Sequence, residues 1–225
     1  MPKIRLYAIG DVHIGSLSCD VPKFRKLVQA VQSDKEAKVL LLGDIFEIAE
    51  NGGKTSDPFD VRPNELELAV DILSPIRRKI VGGITGNHEM RIIRRFNWDP
   101  CKILCESLGV QYFGQMTEIV LNTHRIFAHH GAGGGRLLGA HLNALWRLAE
   151  ICRDADLYIC GHLHTPCFAS RTAIIRGEPR QQYFWGVSSW LPWPEYAKAK
   201  ALPPSSMCLQ YVELGNGIAY HQMPI

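Results

Sequence analysis

Five short polar clusters, each at the carboxyl end of an apolar run, constrain this chain more than any other feature of its sequence. They are Asp11-Val12-His13 after residues 4–10, Gly43-Asp44 after 39–42, Gly86-Asn87-His88-Glu89 after 79–85, His129-His130-Gly131 after 125–128, and Gly161-His162-Leu163-His164 after 157–160. Apolar runs this short, bounded by glycine and polar residues, are buried strands. In open α/β sheets ligands bind at the carboxyl ends of strands. Polar groups gathered at buried strand ends are costly unless something satisfies them.

Between the first two runs, Asp20 is placed to cap a helix with Pro22 in its first turn and Val21, Phe24, Leu27, Val28 and Val31 at helical spacing. Asn64 can cap a second helix carrying Leu66, Ala69, Val70 and Leu73, and Asp99-Pro100 opens another that stops at Gly109. Residues 118–121 and 125–128 flank an Asn122-Thr123 turn, the pattern of an antiparallel hairpin. A helix with Leu142, Leu145, Trp146, Leu148 and Ala149 then precedes 157–160. Stretches 168–176, 182–185, 207–214 and 218–223 are expected to complete a second sheet, the last two joined at Gly215-Asn216-Gly217. The expected class is α/β: one domain over residues 1–225, with two mixed sheets, helices outside, and the polar clusters along one edge. No internal repeat or low-complexity tract interrupts it. The longest irregular stretches, 47–63 and 187–204, have a length that usually marks function.

With 225 residues, 46% of them hydrophobic and 21% charged, the chain can bury one sizeable core. A net charge of +3 is too small to imply polyanion binding by itself, so a nucleic-acid partner must be argued from local clusters. No run approaches the roughly 18 apolar residues of a membrane span, and the N-terminal apolar stretch contains charges. No membrane association, a cytoplasmic location and a monomer or homodimer are expected. The seven cysteines form no Cys-x-x-Cys pair and mostly sit in apolar runs, as reduced core residues do. Cys101 and Cys105 lie four apart on a predicted helix, with no further metal partners nearby in sequence.

On an extended segment, residues two apart point the same way, so Asp11 with His13, and His162 with His164, can each present two side chains to one place. Imidazole with carboxylate or amide oxygen suits manganese, iron or zinc. Two such ions about 3.5 to 4 Å apart form a clamp for phosphoryl transfer. A shared carboxylate is the usual way to hold them, and Asp44, alone on its strand end, is the candidate.

Taken in order, the five clusters resemble the motifs of the calcineurin-like metallophosphoesterase superfamily: Asp-x-His, Gly-Asp, Gly-Asn-His-Glu/Asp, His-Gly or similar, and Gly-His-x-His. The resemblance covers Asp11 to His164; each motif alone is weak, and five in order are specific. It implies a four-layer αββα sandwich. It also implies that Asp11, His13, Asp44 and His164 hold one divalent ion while Asp44, Asn87, His130 and His162 hold a second. Manganese is the first choice, with iron, zinc, nickel or cobalt compatible. His88, with Asn87, would be catalytic: His88 would sit near the scissile phosphate without ligating metal, stabilising the transition state or protonating the leaving oxygen. Glu89 would stand behind the ligands and orient a histidine or backbone group. His129 and His130 face opposite ways on an extended segment, so only one should ligate, and the resemblance favours His130. His124, His141 and His221 are read as structural.

Arg91, Arg94 and Arg95 follow Glu89, and Ala132-Gly133-Gly134-Gly135-Arg136 follows His130. Glycines let backbone approach an anion and arginine binds phosphate oxygens bidentately, so Arg136 and Arg91 are candidate substrate-binding residues. Trp185, Trp190 and Trp193 would stack on bases if exposed and pack in the core if not, with Trp185 better suited to the core. The protein phosphatase branch carries Asp-Arg-Gly soon after its second motif and Arg before Gly-Asn-His-Glu; here Ile45-Phe46-Glu47 and Thr85 stand in those places. Lipid A precursor hydrolases share Gly-Asp-x-Phe-Glu but have Arg where His88 stands. The small size and lack of a cap domain look like the phosphodiesterase and nuclease-type members. The expected activity is hydrolysis of a phosphodiester, in DNA, RNA or a nucleotide, by metal-activated hydroxide. The alternatives are a phosphomonoesterase or protein phosphatase, and a binding scaffold that lost catalysis, disfavoured because every ligand position is filled.

Overall fold

The computed structural model describes residues 3–48, 64–131, 138–199, 201 and 203–225. The first sheet contains β1 (Ile4–Ile9), β2 (Ala37–Leu41), β3 (Ile80–Gly83), β9 (Cys208–Leu214) and β10 (Ile218–Pro224), in the order β10-β9-β1-β2-β3. The second contains β4 (Met116–Leu121), β5 (His124–His129), β6 (Leu157–Cys160), β7 (Cys167–Ile175) and β8 (Glu178–Gly186), in the order β4-β5-β6-β8-β7. In each sheet three neighbouring strands run parallel, β1-β2-β3 and β5-β6-β8, and the others pair antiparallel, β9 with β1 and β10, β4 with β5 and β7 with β8.

Alternation along the strands builds three apolar layers. Leu6, Leu40 and Leu42 of the first sheet meet Ile126, Ile159 and Trp185 of the second between the two sheets. The alternate residues, Tyr7, Ile9, Val39 and Leu41, pack outward on α1 (Val21–Ser33), α2 (Glu65–Leu73) and α4 (Pro100–Leu108). On the far side, Phe127, Tyr158 and Phe184 pack on Leu145 and Leu148 of α5 (Leu138–Ile151). Strands covered on both faces read as continuous apolar runs, which is why 39–42 and 157–160 lack polar alternation. The architecture is therefore a four-layer αββα sandwich.

Local signals account for the helix bounds. Asp20 accepts a hydrogen bond from Lys23 N at 3.0 Å and caps α1. Asp99 accepts from Cys101 N and Lys102 N, and Gly109, in the left-handed region, closes α4. Asn64 does precede α2, but in a left-handed conformation with no side-chain cap bond, so its position is as expected and its capping role is not. The hairpin β9-β10 pairs with β1 and belongs to the first sheet, not the second. A short helix, α6 (Glu195–Ala199), lies inside the stretch 187–204 expected to be irregular. Most of 47–63 lies outside the described residues.

Candidate metal centre

The loops that leave β1, β2 and β6 do not continue as strands. Asp11, His13, Asp44, His162 and His164 all have positive φ, between 48° and 64°. Non-glycine residues adopt this left-handed conformation in only a few per cent of cases, and such strain collects at functional sites. The expectation that each pair projects together from an extended segment is thereby corrected. Asp11 and His13 do converge, but through a turn, and His162 and His164 go to different places.

Asp11, His13 and His164 form one group, and Asp44, His130 and His162 a second, with each group's ligand atoms within 4.8 Å of one another. The two aspartates are set alike. Asp11 accepts His162 N on Oδ2 at 2.7 Å and faces His164 Nε2 with Oδ1 at 3.3 Å. Asp44 accepts His88 N on Oδ1 at 2.8 Å and faces His130 Nε2 with Oδ2 at 3.2 Å. Each thus spends one oxygen on a backbone N–H of another motif, which locks the clusters together. Glycine is required at the crossing: a Cβ on Gly86 would overlap both the carboxylate and the backbone nitrogen of Asp44.

His130 lies in the second group and is 2% exposed, while His129 accepts Gly131 N on its own Nδ1 and stays outside it. Asn87, the first residue of α3 (Asn87–Phe96), places Oδ1 3.0 Å from His130 Nε2. Glu89 accepts Asp44 N and Gly86 N on Oε2 and Phe46 N on Oε1, all backbone donors. Burial, together with the nearby Asp44 charge, pushes Glu89 up to about 7. Arg91 is one turn beyond Asn87 along α3 and its NH2 lies 3.0 Å from His88 Nε2. Arg136 and the glycines before it lie outside the described residues. Trp185 and Trp190 are buried and Trp193 is exposed.

The sequence reading missed Glu47. Its Oε2 is 2.9 Å from His13 Nδ1, close enough for an ion pair although the ring N–H does not point straight at it. Its carbonyl oxygen is 2.5 Å from His88 Nδ1, and Glu47, His13 and His88 form a third group. The signal was present, because Glu47 ends an otherwise apolar stretch from Ile45, and a carboxylate in such a stretch needs a partner.

The donors present fit divalent cations. Asp11 Oδ1 is buried with no aligned hydrogen-bond donor among the described residues. His13 Nε2 and His164 Nε2 face one another at 3.4 Å, where at most one proton can lie between them. His130 commits Nδ1–H to the carbonyl of Leu42 at 2.7 Å, so its Nε2 must face Asp44 and Asn87 oxygens with either a second proton or a cation. Without a cation, burial would lower His130, but the Asp44 carboxylate raises it to about 10. Burial, then the His130 charge, lowers His162. For Asp44, burial pushes upward, and His130 outweighs it and holds the carboxyl well below the usual range.

Two packed mixed sheets bring two histidine and carboxylate clusters to one edge, a fold and donor set suited to divalent metals. The chain belongs to the calcineurin-like phosphoesterase family, whose model matches residues 4–166. Among solved structures it is similar to an archaeal phosphodiesterase, with TM-score 0.50 and 12% identity over 98% of this chain and 100% of that one. It is similar to Yfce, a phosphoesterase from E. coli, with TM-score 0.50 and 16% identity over 99% and 100%. Vps29 from Entamoeba histolytica, complexed with zinc, gives TM-score 0.50 and 14% identity over 98% of each chain. At these identities the likeness carries the fold alone. No curated protein sequence matches the chain. Among the described residues no helix is long and apolar enough to cross a membrane.

Proposed function

We propose that residues 1–225 act as one two-metal phosphodiesterase domain that hydrolyses a phosphodiester in nucleic acid or a nucleotide. The observation that carries this reading is the convergence of Asp11, His13 and His164 beside Asp44, His130 and His162, all but the two half-buried histidines His162 and His164 being buried, with Asp11 Oδ1 left without an aligned donor. In this reading Asp11, His13 and His164 hold one ion, Asn87, His130 and His162 the other, and Asp44 is shared. Two divalent cations, when bound, activate water and neutralise charge on phosphate oxygens.

The chain's own residues complete the site. Burial, then the His13 charge, lowers His88 to about 4, so its ring is neutral near pH 7. With Nδ1–H given to the Glu47 carbonyl, His88 Nε2 accepts a hydrogen bond from Arg91. Of the two roles open to His88, this favours holding the phosphoryl group over protonating the leaving oxygen: His88 aims the Arg91 guanidinium at the phosphoryl oxygens. Glu89 holds the backbone at Gly86, Asp44 and Phe46, which keeps both strand ends in register. A diester has two arms to seat, and α3 runs away from the centre with Arg91 and the exposed Arg94 on it, offering a path for one arm.

A panel assayed with Mn²⁺ tests the reading: bis-p-nitrophenyl phosphate, p-nitrophenyl phosphate, a phosphopeptide, a cyclic nucleotide, and single- and double-stranded DNA. Diesters are expected to be the best substrates. A monoester or phosphopeptide turned over much faster than every diester overturns the diester assignment. No hydrolysis with any divalent ion overturns the enzymatic one.

A further inference from the structure

Beside the metal centre, α3 forms one wall of a cleft of about 610 Å³. That size falls within the roughly 300 to 1,000 Å³ of small-ligand sites. Met90, Ile93 and Asn97, at helical spacing, line this wall, and Phe113, Gln115 and Met116 line the other. Both walls start at the proposed second metal site. Met90 lies within one helical turn of Asn87, a rise of about 5 Å. In the other wall the Gly114 carbonyl accepts Thr85 N at 2.8 Å, two residues before Asn87. Gln115 Nε2 reaches Met90 Sδ at 3.6 Å and links the walls.

The lining has a definite chemistry. Two thioethers, an isoleucine and a phenylalanine ring offer soft apolar faces, and the amides of Asn97 and Gln115 offer donors and acceptors. The acidic group in the lining, Asp99, is already engaged, accepting Thr85 Oγ1 at 2.7 Å and Tyr112 Oη at 2.5 Å. Lys102 lines the cleft, and Arg91 and Arg94 stand on α3. A planar ring with a hydrogen-bonding edge, tethered to an anion, matches apolar faces, amides and cations in this arrangement.

We propose that this cleft is a base subsite, taking the nucleobase of the nucleotide whose phosphate lies at the metal centre. The assignment rests on the phosphoesterase reading and narrows its substrate to nucleotidyl esters. Met90 and Met116 clasp the base, Asn97 and Gln115 reach its edge, and Arg91 holds the phosphate between base and centre.

The protein labelled with ¹³C-methyl methionine and loaded with Mg²⁺ or Zn²⁺ provides a test independent of turnover. Nucleoside 5′-monophosphates are expected to shift the Met90 and Met116 methyl signals, while ribose 5-phosphate and inorganic phosphate leave them in place. Equal shifts with inorganic phosphate, or none with any nucleotide, overturn the base subsite. Kinetics supply a second arm, comparing thymidine 5′-p-nitrophenyl phosphate with bis-p-nitrophenyl phosphate. Ile93→Asp should lower the ratio of their kcat/KM values at least about tenfold, the scale of a lost apolar pocket contact. An unchanged ratio counts against the cleft. If the wild type hydrolyses neither ester, the functional proposal fails, and the methyl shifts still decide the cleft.

Discussion

The two clusters hold their histidines by different means. In the second, His130 gives Nδ1–H to the main-chain carbonyl of Leu42, just beyond β2, and Leu42 is wholly buried. In the first, His13 turns Nδ1 toward a side chain, the Glu47 carboxylate. No substitution removes a backbone carbonyl, but a single one removes a carboxylate. His130 is thus preset by the fold and His13 by one acidic residue, so the two proposed metal sites should differ in how easily they are loosened.

Asp44, which both proposed sites need, sets the upper limit of that comparison. Asp44→Ala should abolish the difference by weakening both sites, with metal content falling below one ion per chain and kcat/KM dropping at least ~10³-fold, about 4 kcal/mol. Metal analysis of the purified variant beside its diester kinetics checks this. Retention of two tightly held ions would remove Asp44 from its bridging role.

His88 stands next to both clusters and belongs to neither proposed site. His88→Ala is expected to lower kcat by ~10²- to 10³-fold while metal stoichiometry stays at the wild-type value. Because His88 acts through Arg91, adding Arg91→Ala to that variant should cost little more, the pair working as a unit. Additive losses would show that the two act separately.

Glu47 separates the clusters most directly. Glu47→Ala should weaken the first ion by ~10- to 100-fold, the usual cost of losing a group that orients a ligating histidine, and leave the second unchanged. Calorimetric titration of the metal-free protein resolves the two steps. Glu47→Gln keeps an acceptor facing His13 and should recover part of the loss. Equal weakening of both ions would show that Glu47 supports the whole edge and not one histidine.

The parts of this centre that were legible in the sequence are those written in local chemistry. Strand ends marked by glycine and a polar pair located Asp11, Asp44, Asn87 and His162, and caps at Asp20 and Asp99 located helices, because a cap bond spans three residues or fewer. What escaped depends on distant chain segments. The hairpin β9-β10 contains nothing that says which sheet it joins; that follows from β9 pairing with β1, some 200 residues earlier in the chain. The left-handed turns at Asp11 and His164 are imposed by packing against other strand ends, so pleat arithmetic put His162 and His164 in one place when they serve two. Glu47 was read as the start of a loop because its partner, His13, lies 34 positions away. Trp190 read equally as a surface platform and a core residue, and its burial against Phe24 is a tertiary fact.

The first cluster's dependence on side chains extends one step further, to Glu65. The backbone at Ile48 and Glu47 hydrogen-bonds its carboxyl, yet burial, reinforced by the Glu47 and Glu89 charges, raises it from 4.5 to about 7. A carboxyl raised on folding costs stability when ionised. The cost is absent below about pH 4.5, where both states keep the proton, grows as pH rises to 7, and is constant above that. At most it reaches about 3 kcal/mol, and about 2 kcal/mol is a fair expectation for a group with partial solvent access. In metal-free protein, Glu65→Gln should therefore unfold at higher urea than the wild type at pH 8 and at nearly the same urea at pH 4.5. A gap that does not change with pH would mean that the substitution acts through packing against Gly15, whose Cα the Glu65 side chain covers, and not through charge. Because His130 is held by main chain and not through Glu47, the same substitution should leave the second cluster's metal affinity unchanged while the first cluster's changes.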